Sequence, residues 1–174
     1  GFDKNCPPWG KLLKKDIISR YKLKFNTRVH LGEDSMFVLS YLLNADKITL
    51  ISSNKYNYEE GRTDSLTKKI NSYESELAGK EEFDRIVGLI KTNFSLDALG
   101  IVELEISQKN LIERVIRSII RIDNKNDRLQ KLSKLDLTLY NKHRKAYTWK
   151  EGILLKLLKH RMFFLYDVLI NLKK

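Results

Sequence analysis

Two adjacent carboxylates, Glu33 and Asp34, follow a glycine and precede an apolar run in the stretch VHLGEDSMFVLSYLLNA, residues 29–45. Acids placed there have two physical uses. In the first turn of a helix they accept orphan N–H bonds and oppose the helix dipole, each contact being worth ~0.3–1 kcal/mol. The same placement aims a carboxylate out of a rigid element, as a general base requires when it must reach a hydroxyl proton. Cap and base make the same local demands, so the surroundings must decide between them. Few other residues compete for a chemical role. His30, His143 and His160 are scattered with no i,i+4 pair, and the single cysteine, Cys6, lacks an identifiable histidine partner. That leaves no zinc pattern and no internal disulfide, and makes a reducing compartment the expectation. No glycine-rich phosphate loop is present in the sequence.

The elements that would hold the two acids read as follows. The opening GFDKNCPPWG contains both prolines and reads as loop. A short helix is predicted from about Leu13, with Leu12, Ile17, Ile18 and Tyr21 near helical spacing. From Ser35 to Leu43 apolar residues nearly surround the axis, which predicts a helix buried on more than one side. KITLIS, residues 47–52, is short and rich in β-branched residues and reads as a strand. Tyr56 and Tyr58 alternate onto one face and suggest a second strand or its edge.

Residues 67–174 read mainly as helix. SYESELAGKEEFDRIVGLIKTNF has helical periodicity despite Gly79 and Gly88. SQKNLIERVIRSIIRID places Ile112, Val115, Ile116 and Ile119 on one face, with Arg114, Arg117 and Arg121 opposite and Glu113 spaced to pair with Arg117. KLSKLDLTLY drifts from helical to alternating leucines and is ambiguous. Leu155, Leu158, Met162, Leu165, Leu169 and Leu172 recur in steps of three and four, an apolar seam that suits a partner helix, a second copy of the chain, or a bilayer surface.

Net charge is +11, and residues 125–174 hold 13 Lys and Arg against 4 Asp and Glu. A basic segment of this kind fits an anionic partner or, more simply, a well-solvated face. The aliphatic and aromatic content, within 42% hydrophobic residues, excludes a disordered chain. No run of 18 uncharged apolar residues or signal peptide is visible in the sequence. The chain opens on Gly1, with Met36 and Met162 its only methionines, and so reads as processed or cut from something longer.

The order Trp9-Gly10-Lys11-Leu12-Leu13-Lys14-Lys15, Phe25, Gly32-Glu33-Asp34-Ser35-Met36-Phe37, Tyr56-Asn57-Tyr58 and Ser65-Leu66-Thr67 resembles the second half of bacterial family-2 glycosyltransferases that build surface polysaccharides. The resemblance covers about the first 67 residues and implies an α/β, helix-rich chain. Residues 1–66 would be the acceptor-side part of a GT-A fold with few strands, and residues 67–174 an α-helical extension. It further implies an inverting transfer from a nucleotide-sugar donor to a hydroxyl of a glycan or lipid-linked acceptor, by an enzyme whose donor-binding half has no counterpart in this chain. Asp34 would be the general base, with Glu33 orienting the acceptor or the loop. Trp9, Lys11, Tyr56 and Tyr58 would contact substrate. An arginine commonly follows the second tyrosine in that family; here the position is Glu59, and Arg62 would stand in as a diphosphate contact.

By the same resemblance a divalent metal, Mn or Mg, serves the full-length enzyme, and its Asp-x-Asp ligands have no counterpart in this chain. The expected location is cytoplasmic, peripheral at the inner face of the cytoplasmic membrane through the basic helices. The competing reading is a basic helical binding module without catalysis, gripping anionic membrane or nucleic acid. No nucleic-acid motif supports the latter partner. A homodimer through the leucine seam is a third expectation.

Overall fold

The computed structural model describes residues 10–50 and 71–172. Eight helices form among these residues, in two compact units that meet in sequence between Asp97 and Ala98. The first unit contains α1 (Lys15–Arg20), α2 (Glu33–Leu42) and α3 (Tyr73–Asn93). α1 buries nothing, and it closes in a turn where Leu23 N–H donates to Ile18 O (3.0 Å) and Lys22 N–H to Ser19 O (3.3 Å). Lys22 there takes the left-handed conformation, at φ 51°, that glycine usually supplies.

α2 is the core of this unit. Met36, Phe37, Val38 and Leu39 are consecutive and all buried, so a full turn of the helix is enclosed. α3 packs on α2 and is capped by Ser72, whose Oγ accepts from Ser75 N–H at 3.2 Å. Gly79 on α3 lies against the α2 side, where a Cβ would stand 3.5 Å from Val29 Cγ1 and 3.8 Å from Met36 Cε. α3 therefore belongs with the unit that holds Glu33 and Asp34, and the division falls at residues 97/98 where the sequence suggested 66/67.

The expected α/β class, the acceptor-side part of a GT-A fold, is corrected by this architecture. No strand forms among the described residues. Lys47–Leu50 of the expected KITLIS strand is irregular, with Ile48 and Leu50 at 61% and 93% exposure. β-branched residues favour a strand only when a neighbouring strand completes the ladder and a core covers one face. Neither reaches Lys47–Leu50 within the described residues. Tyr56 and Tyr58, read as a second strand, lie outside them.

The second unit comprises α4 (Ala98–Ile120), α5 (Lys125–Lys134), α6 (Thr138–His143), α7 (Trp149–Lys159) and α8 (Phe163–Asn171). α4 buries Leu104, Ile112, Val115, Ile116 and Ile119 along one face, against α5 and α6. Glu113 meets Arg144 Nε at 3.1 Å and Lys109 Nζ at 3.5 Å, where Arg117 was the expected partner. The ambiguous KLSKLDLTLY is a helix change: α5 ends, Leu135 and Leu137 turn inward, and α6 begins.

The leucine seam does not run through one helix. α7 ends in a turn where Met162 N–H donates to Leu157 O (2.8 Å) and Arg161 N–H to Leu158 O (3.1 Å), with Arg161 left-handed at φ 55°. The Arg161 guanidinium is held by the carbonyl of Ser133 and stands 5.1 Å from the Phe163 ring. α8 then packs on α5 and α7. Its registration comes from a buried ion pair, Arg128 Nε to Asp167 Oδ1 at 2.6 Å and Nη2 to Oδ2 at 2.9 Å. No described helix is long and apolar enough to cross a membrane.

Candidate functional site

Gly32 precedes α2 with φ 95°, a left-handed conformation that a side chain would strain. This turn sets the direction in which Glu33 and Asp34 leave the backbone. The segment leading into it is held at three points. Phe25 stacks on Phe37 with ring centroids 4.3 Å apart and planes 11° from parallel. Val29 is buried at 3% exposure, and His30 N–H donates to Ser75 Oγ of α3 at 3.0 Å. On the other side Lys14 N–H donates to Tyr41 Oη at 2.9 Å, tying the chain before α1 to α2. The acids thus stand on a helix enclosed by the core, at the end of a fastened loop.

Asp34 is half-buried, and its Oδ1 accepts from Ser35 N–H at 2.7 Å. This is a short local bond to the next residue. The side-chain caps at α3, α5 and α7 instead accept from an N–H three residues on. Oδ2 has no hydrogen-bond partner among the described residues. Glu33 is half-buried beside it. Lys11 is half-buried and engaged in a contact of its own. Trp9, Tyr56, Tyr58 and Arg62 lie outside the described residues. Of the expected site residues, the structure therefore brings together Glu33 and Asp34.

The sequence reading missed Tyr41, whose hydroxyl ties the chain before α1 to α2, and Ser75, whose hydroxyl fastens the loop just before the turn. A tyrosine within the apolar run of α2 was the sequence signal for the first, since a buried hydroxyl must find a partner. The divalent metal implied by the resemblance has no fitting ligand set here. Among the described residues no three His, Cys, Asp or Glu side chains converge.

The second unit offers two polar constellations. Glu105 Oε2 accepts from Lys142 Nζ at 2.7 Å and lies 2.6 Å from His143 Nε2. The Lys142 hydrogen bond, followed by that of His143, holds the Glu105 carboxyl below its usual range. A His–Glu pair can activate a nucleophile, but no Ser, Thr or Cys bonds to this one among the described residues, so it acts as a pin between α4 and α6. A pocket of about 140 Å³ is lined by Tyr140, Arg144, Lys145, Glu151, Leu154 and Tyr166. Burial pushes both tyrosine hydroxyls up, so they remain neutral donors. Sites for drug-sized ligands begin near ~300 Å³, so a nucleotide sugar would not fit.

Compared with family models, curated protein sequences and solved structures, the chain matches none.

Proposed function

We propose that the first unit is the acceptor side of an enzyme of inverting sugar transfer, from a nucleotide-sugar donor held by a half outside this chain to a hydroxyl acceptor, with Asp34 as the general base. The observation that supports this reading is the half-buried Asp34 carboxylate with one oxygen unpartnered among the described residues, on a helix whose position the core and the Gly32 turn fix. It joins the ordered likeness of the Trp9–Thr67 stretch to family-2 transferases.

In the step proposed, the acceptor oxygen attacks the anomeric carbon from the face opposite the nucleotide. A new C–O bond forms as the anomeric carbon–phosphate oxygen bond breaks. The nucleotide diphosphate leaves with that electron pair, and the acceptor proton passes to Asp34. The carboxylate's value lies in being held within reach of the hydroxyl. Glu33, one residue back on the same turn, orients the acceptor or the loop in this reading.

The test is product formation from a panel of uridine and guanosine diphosphate sugars by the intact protein. Asp34→Asn is expected to lower turnover by ~10²–10⁴-fold, the usual worth of a general base, with an unchanged far-UV spectrum. Wild-type turnover in that variant would refute the assignment.

A further inference from the structure

We propose that α8 lays its outward face on an anionic lipid surface. The inference rests on the second unit alone and stands or falls separately from the transferase reading. α8 has nine residues and a single charged side chain, Asp167, which is turned inward and engaged by Arg128. Its outward face is consequently uncharged and apolar: Phe164, Leu165 and Leu169 are 55%, 44% and 41% exposed, and Leu172, just past the helix end, is 73% exposed. The one charge thus faces inward beside buried Phe163 and Tyr166, and the solvent side lacks the charged residues that a surface helix usually presents to water. A contiguous exposed apolar stripe of this kind marks an interaction surface.

The surrounding charge selects the occupant. Residues 98–174 carry 17 Lys and Arg against 8 Asp and Glu. Two copies meeting on this face would bring like charges together, whereas an anionic bilayer would attract them. A cation also borders the stripe at its start: Lys125 Nζ lies 4.0 Å over the Phe164 ring. An exposed aromatic body with a cation on its face suits the boundary between acyl chains and headgroups. Nucleic acid would use the cations but leave the leucines without purpose. A helix of nine residues is roughly 13 Å long, too short to span a bilayer, and so lies in its plane.

The experiment is co-sedimentation of the full chain with vesicles of phosphatidylcholine alone or mixed equally with phosphatidylglycerol. Binding is expected to the mixed vesicles, weakening with salt, and to be lost on phosphatidylcholine alone. Leu165→Glu with Leu169→Glu is expected to weaken it by ~100-fold or more, on the order of tenfold for each leucine kept from the lipid. Both positions face solvent, so the far-UV spectrum should not change. Lys125→Ala provides an independent arm that leaves the stripe intact and is expected to weaken binding about fivefold. Equal binding by the double leucine variant, equal binding to both vesicle types, or no binding to either would overturn the proposal. So would a dimer in sedimentation equilibrium that Leu165→Glu dissolves, since the stripe would then be covered by a second copy.

Discussion

Removing one partner of the Arg128–Asp167 pair should be the most damaging polar substitution in the second unit. The two side chains are 10% and 4% exposed. Arg128 donates twice to the carboxylate and twice, through Nη1, to the carbonyls of Ile122 (2.6 Å) and Asp123 (2.8 Å). The hydrogen bonds to Asp167 hold the guanidinium charge more firmly than in water. Asp167→Ala leaves that cation buried with only two neutral acceptors, and it removes the carboxylate on which Asn171 Nδ2 also donates at 3.1 Å. Stranding a buried charge costs ~3–5 kcal/mol, a large share of the ~5–15 kcal/mol that stabilises a typical domain. With a urea slope of ~1–3 kcal/mol/M, the midpoint measured by far-UV circular dichroism should fall by about 2 M. Arg128→Met combined with Asp167→Leu removes both charges and should recover most of the loss, leaving about 1–3 kcal/mol for the two freed carbonyls. A single variant within ~1 kcal/mol of wild type, or a double variant no better than the single, would refute the reasoning.

Two further outcomes follow from local geometry. Gly79→Ala should stabilise the first unit by up to ~1 kcal/mol, because the added methyl meets Val29 and Met36 at ordinary van der Waals distance; thermal melts will show it, and a lowered midpoint would mean that the α2–α3 contact is tighter than described. Glu105→Gln should flatten the acid limb of the stability curve. The Glu105 carboxyl sits below its ordinary value of 4.5 in the folded chain, so its contribution is complete above that value and is lost as pH falls through the lower folded one. An unchanged acid limb in pH-dependent urea titrations would contradict this.

Much of the helical content was legible, because helix periodicity is a local signal. The all-round apolar run of α2 and the Ile112–Ile119 face of α4 sit buried as their spacing demands. The strand at Lys47–Leu50 misled because β-branched residues announce a preference that only a partner strand can realise. The seam from Leu155 to Leu172 misled differently. A three-residue turn at His160–Met162 interrupts the helix without disturbing the three-four count of leucines, and Arg161 supplies a conformation normally signalled by glycine. The Arg128–Asp167 pair spans 39 residues, and the Tyr41 and Ser75 anchors reach 27 and 45. No local rule pairs such distant residues. At the candidate site, the carboxylates and their glycine were readable, while the Tyr41 and Ser75 hydroxyls that tie distant segments to the same unit were not.

The buried pair also acts as a rotational key. Successive side chains on an α-helix are ~100° apart, so residues two positions either side of a given one point nearly opposite to it. With Asp167 locked inward on Arg128, Leu165 and Leu169 are committed outward. The azimuth of α8 is therefore set by a fork of hydrogen bonds in its middle rather than by the turn at its start. A residue inserted or deleted between His160 and Met162 should be absorbed by that turn, leaving the leucine stripe at the same heading.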